Sequence, residues 1–274
     1  MNIIELFKFI FWGFIQGFTE PIPVSSSGHL LIFQKMLSNN DLNVDFGLLA
    51  TLTNFGSLIA IIILFRKDIS DLFKSFFGYL TTKKDEYKDN YKYCWFIVIG
   101  TIPAGIMGLV VTKLDLFSKL EENVKFVGIT LLITAAFLFL IRNLKGKKEK
   151  ENITFKDALI VGLFQVVALI PGISRSGATI VGGMLRKFKR SVAFNFSFIL
   201  YIPISIATTI LGVSDLISSN LSLEMWIYYI VATIVSCIFT YFATKWFRNI
   251  VKNGKLIYFV MYCLIVGLLV IIFL

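Results

Sequence analysis

Charge and histidine are what this 274-residue chain has least of: 16% of its residues are Asp, Glu, Lys or Arg, and there is one histidine. Its three cysteines, Cys94, Cys237 and Cys263, are odd in number and show no CxxC or CxxH spacing. Neither a disulfide framework nor a zinc site therefore organises the fold. Apolar residues make up the difference. They account for 57% of the chain, with 28 phenylalanines, and the mean hydropathy is +0.79. A soluble domain of this length could not hide that much apolar surface, whereas lipid can accept it. The net charge of +10 raises nucleic acid as a partner. The basic residues, however, lie in short clusters between apolar runs, as in the cytoplasmic loops of membrane proteins, so lipid is the expected partner and nucleic acid is not.

The pattern predicts an all-α membrane protein. Six segments approach the ~20 apolar residues that cross a ~30 Å hydrocarbon core, at 47–65, 94–112, 125–142, 193–213, 225–244 and 256–273. Two shorter apolar stretches, 3–18 and 158–170, run into loops of Pro, Ser and Gly and then a second short stretch, which predicts re-entrant helix–loop–helix units. Glu5 and Lys8 interrupt the first, and no small-residue cleavage site follows it, so it reads as part of the mature fold rather than a leader. Trp226, Tyr228 and Tyr229 read as an interfacial belt.

Lys and Arg are unevenly shared among the connections. Residues 66–92, 142–156 and 245–255 carry most of them, while 214–224 carries none. Placing the basic connections in the cytoplasm makes six spans alternate consistently, provided both short units are re-entrant. The chain then divides into a first repeat at 1–142, a solvated basic linker at 143–157 and an oppositely oriented second repeat at 158–274. Sliding the sequence along itself aligns Gly13 with Gly162, Gln16 with Gln165, Ser25 with Ser174, Ser27 with Ser176 and Gly28 with Gly177. An inverted repeat with interrupted helices is an architecture that builds a polar site inside a membrane.

The polar residues of the two loops are the candidate chemistry. The first reads Gln16-Gly17-Phe18-Thr19-Glu20-Pro21-Ile22-Pro23-Val24-Ser25-Ser26-Ser27-Gly28-His29, and the second reads Pro171-Gly172-Ile173-Ser174-Arg175-Ser176-Gly177-Ala178-Thr179. This mixture suits a phosphate group. Arg175 offers a planar fork of donors, and the hydroxyls of Ser25, Ser27, Ser174, Ser176 and Thr179 add uncharged contacts. Glu20, with Gln16 one helical turn earlier, could hold a divalent cation. Ser26 is a candidate nucleophile and His29 a candidate proton carrier. Duller roles stand beside these: Glu20 as Arg175's structural partner, the serines as turn formers and His29 as a buried hydrogen-bonding group. Asn54 and Asn195 read as interhelical hydrogen-bonding residues.

These loops resemble the signature motifs of the undecaprenyl-diphosphate phosphatase family of bacterial inner-membrane enzymes, the bacitracin-resistance type. Gln16, Glu20, Pro23, Ser25, Ser26, Ser27, Gly28 and His29 match its first motif, and Pro171, Gly172, Ser174, Arg175, Ser176, Gly177 and Thr179 match its second. The resemblance covers essentially the whole chain. It implies hydrolysis of the C55 polyprenyl diphosphate to its monophosphate at the outer face of the inner membrane, with Mg²⁺ or Ca²⁺. It also implies recycling of the lipid carrier for cell-wall synthesis and a link to bacitracin resistance. By position, Glu20, Ser26, His29 and Arg175 would be the functional set. Gln16 stands where many members have Glu, and a neutral amide can ligate a metal but cannot take a proton, so Glu20 would have to serve alone. A lipid-phosphate flippase using the same pocket is the rival reading, and a homodimer stays open.

Overall fold

The computed structural model describes residues 2–37, 44–121, 123–219 and 221–274, and among them the regular structure is helical apart from one isolated bridge between Lys148 and Phe188. The first unit comprises α1 (Ile3–Thr19) and α2 (Ser26–Leu37), separated by a six-residue break. It is followed by α3 (Phe46–Leu64), α4 (Arg66–Thr82), α5 (Lys88–Lys113), the single turn α6 (Ser118–Glu121) and α7 (Val124–Ile141). The second unit, α8 (Phe155–Val167) and α9 (Arg175–Leu185), leads into α10 (Arg190–Ser218), α11 (Leu223–Lys252) and α12 (Ile257–Phe273).

Local chemistry sets these limits. Asn2 accepts a hydrogen bond from the Ile4 amide at 3.0 Å to start α1, and Thr154 with Asp157 forms a capping box that starts α8. Pro21 and Pro23 follow α1, and Pro171 with Gly172 follows α8. None of these residues can extend a helix well.

Among the described residues five helical segments are long and apolar enough to cross a membrane: Phe46–Leu64, Asp85–Lys113, Val124–Ile141, Arg190–Gly212 and Leu223–Lys252. The sixth expected span is α12, whose 17 residues give about 26 Å of helix, short of a typical ~30 Å core. Two other expectations need correction. Within the basic 66–92 connection lies α4, a 17-residue helix that presents Phe73, Phe77 and Leu80 outward. Tyr228 and Tyr229 do not form a lipid-facing belt: both are fully buried and pack on the Phe9 ring at 5.4 and 5.0 Å.

Small residues let the helices touch backbone to backbone. A Cβ on Gly17 of α1 would sit 2.4 Å from the Ser236 carbonyl of α11, and one on Gly162 of α8 would sit 2.5 Å from the Gly100 carbonyl of α5. Hydroxyls stitch the first of these contacts: Thr240 donates to the Gly17 carbonyl at 2.9 Å, and Ser57 lies 2.8 Å from Thr240 and 3.1 Å from Ser236.

The start of the first unit and both ends of the second are tied down. The Asn2 amide donates to Tyr228 at 2.7 Å and the Asp45 amide to Tyr229 at 3.2 Å, which places the start of α1 and the residue before α3 side by side at the N-terminal end of α11. At the other unit Asp157, opening α8, accepts from Arg186 just past α9 at 2.7 Å and from Lys148 at 2.6 Å. Burial alone would raise the Asp157 pKa, but hydrogen bonds from Lys148, Arg186 and Thr154 outweigh it and hold the carboxyl below its ordinary value. The 143–157 linker is therefore docked rather than free, with Lys150 also donating to Asn90 at 2.6 Å.

Candidate active site

Each break is a tight turn closed by a serine. Ser25 takes a left-handed backbone (φ 66°) and its Oγ accepts from the Gly28 amide at 3.3 Å, while Ser174 caps α9 by accepting from the Gly177 amide at 3.1 Å. The pattern continues one residue pair on: the Ser25 and Ser27 hydroxyls are 3.4 Å apart and those of Ser174 and Ser176 3.2 Å. In the second break Gly172 has φ 83° and lies so close to Thr130 Oγ1 that a Cβ would come within 2.0 Å, so no larger residue fits there.

The two breaks meet through one ion pair. Arg175 Nη2 donates to Glu20 Oε1 at 2.5 Å, with the two side chains 18% and 11% exposed. The other carboxylate oxygen, Oε2, accepts from Ser26 Oγ at 2.5 Å and from Gln16 Nε2 at 3.1 Å. Glu20 thus links the hydroxyl, the guanidinium and the amide that the sequence pointed to. Gln16 Oε1, by contrast, is buried without a protein partner. The Arg175 guanidinium lies over the Tyr201 ring, 3.8 Å from its centroid, and the Tyr201 hydroxyl donates to Asn54 Oδ1 at 2.9 Å.

Beside this cluster is a cavity of about 470 Å³. Gln16, Glu20, Ser26, Ser27 and Asn54 line it together with Gly47, Thr208 and Thr209. Gly47 is near the start of α3, and the two threonines are in the later half of α10.

His29 is held elsewhere. Its Nδ1 lies 2.8 Å from the Ser25 carbonyl and its Nε2 2.7 Å from the Tyr262 hydroxyl, whose ring stacks on the imidazole at 5.6 Å. Nδ1 faces a carbonyl and so carries the proton, leaving Nε2 to accept from Tyr262. Ser25, Ser174 and Ser176 spend their hydroxyls on the turns, and Thr179 Oγ1 sits 2.5 Å from Ser197 Oγ. Gln165, the counterpart of Gln16, is buried with neither side-chain amide atom bonded to protein. Sequence reasoning missed Tyr201 and set Asn54 aside. The signal for Asn54 was there, a lone amide in an apolar run. Nothing in the sequence pairs it with Tyr201.

Residues 9–269 match the family model described as bacitracin resistance protein BacA. The chain is 44% identical over 273 residues to undecaprenyl-diphosphatase 1 of Bacillus licheniformis, covering 100% of both chains. It is 43% identical over 279 residues to undecaprenyl-diphosphatase of Oceanobacillus iheyensis, again covering 100% of each. Over 269 residues it is 44% identical to undecaprenyl-diphosphatase 2 of Bacillus thuringiensis, covering 98% of each. With a match that runs through both loops and nearly end to end, the chain belongs to the bacitracin resistance protein BacA family.

Proposed function

We propose that this multi-pass membrane protein hydrolyses undecaprenyl diphosphate to the monophosphate and inorganic phosphate, recycling the lipid carrier of cell-wall synthesis and thereby conferring bacitracin resistance. The observation that carries the mechanism is the chain Ser26–Glu20–Arg175, of which Ser26 and Glu20 line the cavity, with Ser26 and Arg175 each 2.5 Å from a different oxygen of one carboxylate. Ser26 Oγ attacks the terminal phosphorus as its proton passes to Glu20, and the bond from that phosphorus to the bridging oxygen breaks to release the prenyl monophosphate. Water then attacks the phosphoserine, Ser26 Oγ leaves with the proton held by Glu20, and the inorganic phosphate carries away the water's proton. Arg175 has donors beyond the one given to Glu20, and these bind the phosphate oxygens as charge moves onto the leaving group.

The donor set suits a divalent cation such as Mg²⁺ or Ca²⁺. Glu20 and the otherwise unpartnered Gln16 Oε1 would hold it, with phosphate oxygens and water completing its shell. Bound there, it would supply neutralisation of the diphosphate charge. His29, bonded on both nitrogens, anchors the turn that presents Ser26 rather than facing the cavity.

We further propose that the two halves form an inverted repeat in the bacterial inner membrane, with α12 as a sixth, tilted or locally thinned crossing. The tethers support this reading. Asn2 and Asp45 meet at the N-terminal end of α11, while Asp157 meets Arg186, and Arg190 crowds Gly254 just past the C-terminal end of α11. The chain before the first unit and the chain entering α3 thus share one end of α11, and the second unit is closed by Asp157 and Arg186 toward the other. The cavity lies toward the end marked by Gly47, which is the outer face when the basic connections are cytoplasmic.

Phosphate release from a polyprenyl diphosphate by the detergent-purified protein tests the activity. Release in Mg²⁺ or Ca²⁺ that stops with EDTA and in Arg175→Ala is expected. Absence of release from folded protein that still binds the lipid through Arg175 would replace hydrolysis with lipid transport.

A further inference from the structure

We infer that Asn54 is a direct diphosphate ligand, held by Tyr201 so that its amide N–H₂ faces the cavity, and that Tyr201 is the positioning residue shared by Asn54 and Arg175. The inference rests on the proposed substrate class. Three observations carry it.

Asn54 lies on α3, a helix with few other polar side chains, and it lines the cavity beside Glu20 and Ser26. Its Oδ1 is taken by the Tyr201 hydroxyl at 2.9 Å, and the same hydroxyl lies 3.4 Å from the Asn54 carbonyl. An acceptor fixed on that side turns the amide nitrogen the other way, and this nitrogen is absent from the buried, partnerless side-chain atoms. A primary amide nitrogen has two donors and no acceptor capacity, so what it can take from the cavity is an oxygen lone pair, the one thing every diphosphate oxygen offers. Finally, Tyr201 is 2% exposed, and its ring is the surface on which the Arg175 guanidinium rests at 3.8 Å. One side chain therefore sets the direction of both a charged and a neutral donor. A rigid aromatic plate with a fixed hydroxyl does this without a second carboxylate, which would repel the substrate.

Asn54→Asp separates this role from a structural one. The aspartate is isosteric and still accepts from Tyr201, so the contact between α3 and α10 persists, but the donor is replaced by an anion facing the substrate. In the full-length protein in detergent, KM for a polyprenyl diphosphate should rise by roughly ten- to a hundredfold, the scale of a hydrogen bond to a charged group. The unfolding temperature should stay at the wild-type value. Asn54→Ala should raise KM in the same direction with kcat changed less than about threefold, as expected for a ground-state binding contact. Tyr201→Phe keeps the ring and removes the hydroxyl. It should raise KM by less than Asn54→Ala does, and the double variant should bind no worse than Asn54→Ala alone, since the hydroxyl reaches the substrate only through Asn54. A KM within about threefold of wild type for both Asn54 variants would overturn the inference, as would fully additive effects of Asn54→Ala and Tyr201→Phe. If the wild type binds the lipid but releases no phosphate, the dissociation constant replaces KM. Weakened binding by Asn54→Asp then upholds the contact while the hydrolytic reading falls.

Discussion

Glu20 binds three side chains at the site, and the consequences of changing each partner differ. Arg175→Lys keeps the positive charge but loses both the planar fork and the stacking on Tyr201. We expect kcat/KM to fall at least about a hundredfold, the scale seen when one preorganised donor is lost from a reacting phosphate or oxyanion. Turnover near wild type in that variant would show that a point charge suffices. Ser26→Ala asks a separate question, because Glu20 keeps its contacts with Gln16 and Arg175 when the hydroxyl is removed. If Ser26 is the nucleophile, kcat collapses while lipid binding survives. A kcat within about tenfold of wild type would mean that water attacks directly, with Glu20 as its base.

At the scale of the element, the site depends on how closely α8 approaches α5, since α8 leads into the break that carries Arg175. Gly162→Ala would put a carbon 2.5 Å from the Gly100 carbonyl, and neither backbone can step aside without moving a helix. Overpacking of this kind costs about 1–3 kcal/mol, so the unfolding temperature in detergent should drop by several degrees, with activity falling alongside. An unchanged melting curve would show that this helix pair is loose. Such contacts explain what the sequence could and could not say about the elements. The long apolar runs were legible because lipid demands them. The breaks were legible because Pro, Gly and Ser cannot hide inside an apolar pattern. Helix α4 was missed because its Arg66, Lys67 and Lys74 were counted as loop charge, although Ile69, Leu72, Phe73, Phe76, Phe77 and Leu80 recur at helical spacing. Tyr228 and Tyr229 misled for the opposite reason. Aromatic side chains near a helix end suit an interface or a core equally well, and only their burial against Phe9 decides between them. The trio Glu20, Ser26 and Arg175 was readable from motif chemistry, whereas the Asn54–Tyr201 link joins residues 147 positions apart and has no local signature.

For the whole molecule, the question is how an ion pair comes to join two breaks whose units are anchored separately. The described contacts answer in terms of anchoring. Tyr228 and Tyr229 hold Asn2 before α1 and Asp45 before α3, and the Asp157–Lys148–Arg186 cluster holds the ends of the second unit. Helix α11, 30 residues or about 45 Å long, starts at the first anchor, and Gly254 just past its C-terminal end meets Arg190, four residues after Arg186. In the proposed inverted arrangement both breaks are held at depth, where their free backbone groups need a polar partner and where Glu20 and Arg175 supply charge. Labelling of single cysteines tests this geometry. In an active background with Cys94, Cys237 and Cys263 replaced, Leu223→Cys marks the N-terminal end of α11 and Lys147→Cys the docked linker; both positions are exposed. A membrane-impermeant maleimide applied to cells stripped of their wall should label Leu223→Cys at once, and Lys147→Cys only after the membrane is opened. Labelling of both from outside would place the two anchors on one side and end the inverted arrangement. The reversed pattern would keep the arrangement but turn the cavity toward the cytoplasm, where a carrier released outside could not reach it without being flipped first.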